Sequence, residues 1–120
     1  MKIAITTQGH DLSSQLDPRF GRANWLILID TDTDRFEVHD NAVNLNASSG
    51  AGIQTAQNVA NLGAEAVITG NIGPNAIKTL NAADVKAFLS KASTAKEALD
   101  LFKEGKLQEV TKPNVEGHWI

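Results

Sequence analysis

Apolar and polar positions along this chain follow two periods, one of about two residues and one of 3.6, and the switches between them mark out the elements. Lys2 to Thr7 is a short β-branched-rich segment and predicts a strand, followed by a long polar loop from Gly9 to Asn24. Trp25-Leu26-Ile27-Leu28-Ile29 is apolar at every position, as a strand covered on both faces is. Arg35-Phe36-Glu37-Val38-His39-Asp40 alternates like a half-exposed strand. The polar Thr31-Asp32-Thr33-Asp34 connection between them suits an antiparallel hairpin, and Asn41 to Ser49 reads as a second polar loop. The period then lengthens. Ile53, Ala56 and Ala60, with Val59 and Leu62, share one helical face, and Gly63 stands where a helix C-terminus favours it, so a helix is predicted from about Gly50 to Leu62.

Ala64 to Thr69 predicts a buried strand, Pro74 opens a second helix running to about Ala82, and Val85 to Leu89 forms a further strand. Thr94 is placed to cap a third helix to Lys103, with Glu97 completing a capping box. Gly105 to Ile120 is polar apart from Trp119-Ile120 and is expected to be a loose tail. The order β-β-β-α-β-α-β-α implies an α/β fold with a mixed five-stranded sheet, order 3-2-1-4-5, and three helices on its faces. Strand directions then bring Gly9 to Asn24, Asn41 to Ser49, Gly70 to Gly73 and Ser90 to Ala92 to one edge, the carboxyl edge of the parallel strands, where open α/β sheets bind ligands.

With 120 residues and 42% apolar content the chain suits one domain with one core. It has no cysteine, which removes thiol nucleophiles, thiolate zinc sites and thiolate-held iron–sulfur clusters. A formal charge of -3 argues against broad phosphate neutralisation and so against a nucleic-acid partner. No export signal is visible and the apolar runs are far shorter than the ~20 residues of a membrane span, so a cytoplasmic protein with no membrane partner is expected.

On the candidate edge, Gly50-Ala51-Gly52-Ile53 opens the first helix with no side chain to cap its amides, a disposition that favours a negative group. Gly70-Asn71-Ile72-Gly73-Pro74-Asn75 repeats the device at the second helix, and Arg19 and Arg22 come from the first loop. Together these make a candidate anion pocket, with Phe20 and Ile53 as apolar contacts; for either glycine motif alone, turn geometry and close helix packing are the simpler reading. Neither motif completes a dinucleotide fingerprint or a Walker loop, the first strand lacks the acidic residue of a two-metal nuclease, and no serine sits in a nucleophile elbow. A binder rather than an enzyme is expected. His10, His39 and His118 have no metal-ligand spacing. His10 is a candidate ligand because it lies on the edge, and His118 because an extended tail of about a dozen residues at ~3.3 Å each reaches that edge, where Trp119 and His118 could fold over a ligand.

Three blocks, Asp17-Pro18-Arg19-Phe20-Gly21-Arg22-Ala23, Gly50-Ala51-Gly52-Ile53-Gln54 and Thr69-Gly70-Asn71-Ile72-Gly73-Pro74-Asn75-Ala76, in this order and spacing, resemble the nitrogenase iron-molybdenum cofactor biosynthesis (dinitrogenase accessory factor) family over about residues 1 to 108. The resemblance implies an RNase H-like domain, 1–108, that carries a metal-sulfur cluster, with 109–120 as a polar tail. It further implies an inorganic cluster as partner and a protein to which the cluster is delivered. One branch, the orange proteins, holds a molybdenum-copper sulfide cluster without covalent attachment, and a cysteine-free chain suits it. Gly117-His118-Trp119 is similar to the ends of some members of that branch. The resemblance implies a carrier or assembly scaffold; the alternative is a metal-free regulatory module whose protein partner recognises the same edge.

Overall fold

The computed structural model describes residues 1–41 and 50–116; most of the second polar loop and the Gly117-His118-Trp119 end lie outside the described residues. Six strands form one sheet: β1 (Lys2–Thr7), β2 (Trp25–Asp30), β3 (Phe36–Asp40), β4 (Ala66–Thr69), β5 (Lys86–Leu89) and β6 (Gln108–Val110). Their order is β3-β2-β1-β4-β5-β6, with β1, β4 and β5 parallel and β2, β3 and β6 antiparallel to their neighbours. The helices are α1 (Ala51–Asn61), α2 (Pro74–Ala82) and α3 (Ala95–Lys103). The expected order 3-2-1-4-5 is present, extended by β6.

Strand alternation divides the sheet's apolar residues between two cores. Ala4, Leu26, Leu28, Val67 and Ala87 face α1 and α2, where Val59, Ile77 and Leu80 meet them. Ile3, Ile5, Ile27, Ile29 and Ile68 face α3 with its Ala95, Ala98 and Leu99. The uninterrupted apolar run of β2 follows from this, since both of its faces are covered. At roughly 25 cal/mol per Å² of apolar surface removed from water, these two layers supply the main driving force for folding.

Local signals explain the element ends. Gly63 follows α1 at φ +83°, a left-handed conformation that an L side chain resists, and Pro74 begins α2 where its missing N–H costs nothing. The Thr94 hydroxyl accepts the Glu97 N–H at 3.2 Å at the start of α3.

The expectation of a loose tail from Gly105 does not hold through residue 116. Gln108, Glu109 and Val110 pair antiparallel with β5, crossing the expected boundary at 108, and Val110 packs against the α1/α2 core. Further along, the Asn81 amide donates to the Thr111 carbonyl (3.0 Å) and Asn114 binds the loop before α2. A three-residue strand with one inward apolar side chain carries too little periodicity to stand out in a polar sequence.

Candidate functional site

The first loop is built as a strap over the carboxyl edge. After β1, the Asp17 N–H donates to the Thr6 carbonyl (2.8 Å), while the Thr6 hydroxyl donates back to the Asp17 carbonyl (2.8 Å) and lies 2.8 Å from the Thr69 hydroxyl on β4. The Asp17 side chain is fully buried. Its Oδ1 accepts the Arg19 N–H at 2.9 Å and lies 3.5 Å from Arg19 Nε; its Oδ2 has no partner among the described residues. The Arg19 side chain, held at its base, remains 41% exposed.

Two glycines let the strap lie flat. A Cβ on Gly70 would stand 2.6 Å from Pro18 Cα, and one on Gly21 would stand 2.7 Å from the Gly52 nitrogen, both against backbone that cannot move aside. Asn71 completes the crossing by donating its amide to the Pro18 carbonyl (3.0 Å), and Arg19 and Asn71 form a parallel bridge. On the other side, the Gly21 carbonyl accepts the Thr55 hydroxyl (3.1 Å), and Asn41, buried, donates to the Ala23 carbonyl (2.9 Å). The strap therefore runs from the start of α2 to the start of α1.

The three helix starts differ in what covers their amides. At α3 the first loop itself supplies acceptors: Ala95 N–H donates to the Ser14 carbonyl (3.0 Å) and Lys96 N–H to the Leu12 carbonyl (2.8 Å), with Glu97 held by Thr94. No side chain caps α1 or α2, neither has an acidic residue in its first turn, and no first-loop carbonyl reaches their amides among the described residues. Among the described residues, the positive ends of α1 and α2 therefore have no side-chain or first-loop acceptor, whereas that of α3 does.

Of the residues expected here, the structure brings Arg19 beside Asn71, and the strap's Gly21 against Gly52. Arg22 is half-buried, Asn75 is exposed, and Ala51, Gly52 and Gly73 are buried. Gly50, at φ +79°, immediately precedes α1. Ile53 is exposed on the first turn of α1. Phe20 and Ile72 are corrected: both are fully buried in the α1/α2 core and present no surface to a ligand, because the strap is anchored by exactly the apolar side chain that alternation in a loop cannot assign. His10 is exposed and stacks edge-on to Trp25, ring centroids 5.6 Å apart; it belongs to no group of metal-ligating side chains among the described residues. His118 lies outside the described residues.

Sequence reasoning placed Ser90 to Ala92 on this edge but missed Lys106 and Asn114, which it assigned to a loose tail. Two concavities, of about 400 and 530 Å³, share Gly70, Asn71, Ser90, Lys91 and Ala92 as a common rim. The larger adds Lys106 and Asn114, and Asn114 clasps the α2 loop: its Oδ1 accepts the Ile72 N–H (2.7 Å), its own N–H donates to the Ile72 carbonyl (3.1 Å) and its amide donates to Asn71 Oδ1 (2.9 Å).

Compared with known proteins, residues 1–105 match the model of the family described as dinitrogenase iron-molybdenum cofactor. The chain belongs to this family. It is 30% identical over 112 residues, 91% of each chain, to an uncharacterised protein of Methanocaldococcus jannaschii. Its fold is similar to the apo form of the orange protein from Desulfovibrio gigas, with a TM-score of 0.92 and 36% identity over 95% of this chain and 96% of that one. It is also similar to a putative NifB protein from Thermotoga, with a TM-score of 0.84 and 39% identity over 97% and 98% of the two chains. This family is associated with cofactor binding and cofactor assembly rather than catalysis. Among the described residues no helix is long and apolar enough to cross a membrane.

Proposed function

We propose that this member of the dinitrogenase iron-molybdenum cofactor family binds an anionic metal-sulfur cluster, a molybdenum-copper sulfide or a related thiometallate, without covalent attachment, and acts as its cytoplasmic carrier or assembly scaffold. The observation that carries this reading is the contrast among helix starts: the strap lies across the uncapped starts of α1 and α2 with the Arg19 side chain exposed between them, while α3 is closed. The donor chemistry fits such a cargo. The chain has no cysteine, and the described residues contain no cluster of three His, Asp or Glu that would ligate a bare metal ion. Amides and a guanidinium recognise the sulfide surface of an anion that already carries its metals. The exposed apolar Ile53 beside the α1 start suits a soft, weakly hydrated ligand.

Incubation with tetrathiomolybdate and copper is expected to give a coloured species that stays with the protein through desalting. Arg19→Ala is expected to weaken retention about tenfold, the equivalent of one charge-assisted hydrogen bond, with the cluster's absorbance as readout. Equal retention by native and variant protein would remove the strap from the site, and no retention by either would overturn the cargo.

A further inference from the structure

The β3 edge of the sheet is written to pair with itself, and we propose that it forms a two-fold antiparallel contact with a second copy of this chain. The backbone sets the terms. Asp30 N–H donates to the Arg35 carbonyl and Asn41 N–H to the Asn24 carbonyl, both at 2.9 Å, so with the observed register Arg35, Glu37, His39 and Asn41 turn their peptide groups toward β2. Phe36 and Val38 turn theirs outward, where β3 is the last strand of the sheet among the described residues.

A two-fold axis at Val38 is the register that sets Val38 against Val38 as a hydrogen-bonded pair, Phe36 against Asp40, and Glu37 against His39 of the second copy. Glu37 and His39 lie on the face shared with Leu28 and Leu26, where His39 Nε2 is 3.1 Å from Glu37 Oε2 in the same strand. In this register each carboxylate also faces an imidazole across the contact, a row of four alternating partners. The neighbouring registers with outward groups matched, centred on Glu37 or on His39, bring carboxylate against carboxylate or imidazole against imidazole. One register is thus complementary and its neighbours are not, which is how an edge strand admits a chosen partner and refuses others. On the opposite face Phe36, 42% exposed, lies diagonally next to Val38 of the second copy and gains a further apolar neighbour on its outer side.

Sedimentation equilibrium of the native chain at concentrations rising to about 1 mM is expected to show reversible association to the mass of two chains, a range suited to a small contact. Glu37→Lys is expected to weaken it about tenfold or more, and Glu37→Lys combined with His39→Glu to restore it, because a lysine then faces a carboxylate across the contact. Val38→Pro removes an outward N–H without touching the β2 ladder and is expected to abolish association. Should that variant not fold by circular dichroism, the charge exchange carries the test alone. A chain that stays monomeric throughout the range, or a dimer indifferent to Glu37→Lys, overturns the proposal. Cluster retention reports on the other site and is expected to be unchanged in Glu37→Lys.

Discussion

Asp17 illustrates how one side chain serves the strap at some cost. Its carboxylate is wholly buried, yet only Oδ1 is used, to hold the Arg19 N–H and steady the base of the guanidinium arm. A neutral amide keeps that acceptor and is cheaper to bury than a half-satisfied carboxylate. Asp17→Asn is therefore expected to stay within about 1 kcal/mol of native stability in urea unfolding, while Asp17→Ala, which orphans the Arg19 amide and leaves a void, loses about 1–3 kcal/mol. If Asn were as damaging as Ala, the charge itself would be what the strap requires. At this scale the sequence was only partly legible. The block from Asp17 to Arg22 reads as polar chemistry, but the buried Phe20 is the anchor that makes the block a strap. Loops have no periodicity from which inward and outward positions can be read, so Phe20 and Ile72 looked like ligand contacts when they are core.

Among elements, periodicity served well wherever a face was buried. The α2 bounds, the α3 cap and the doubly covered β2 follow from spacing, proline and threonine alone. What escaped was β6 and the segment after it, whose hold on the fold depends on backbone pairing and amide side chains and on one apolar contact, Val110. Asn114 is the measure of this. It makes three hydrogen bonds to Asn71 and Ile72 and so fixes the loop that precedes α2. Asn114→Ala is expected to cost about 1–2 kcal/mol, read as a lowered urea midpoint at unchanged slope, and to increase amide exchange at Ile72. Removing residues 113–120 is expected to cost at least as much; stability indifferent to either change would mean the clasp is ornamental.

For the molecule as a whole, the strap's long reach has a bearing on the order of events in time. Residues 16–21 lie early in the chain, yet their partners include Thr55, Asn71 and Ser93: Leu16 N–H meets the Ser93 carbonyl, the Thr55 hydroxyl meets the Gly21 carbonyl, and Asn71 meets Pro18, 53 residues away. Leu16 sits in one core and Phe20 in the other, so the strap crosses from face to face over the sheet edge. Closing such distant contacts is entropically costly until β4, α2 and β5 are in place, so the strapped edge is expected to be the last part of the fold to assemble and the first to open. In stopped-flow measurements Phe20→Leu is then expected to speed unfolding while leaving the folding rate nearly unchanged, with Val67→Ala in the sheet centre slowing folding instead. A slowed folding rate for Phe20→Leu would place the strap in the nucleus. A late-closing strap also means that a nascent chain cannot complete this edge, or hold there the cargo proposed for it, until synthesis has passed Ser93.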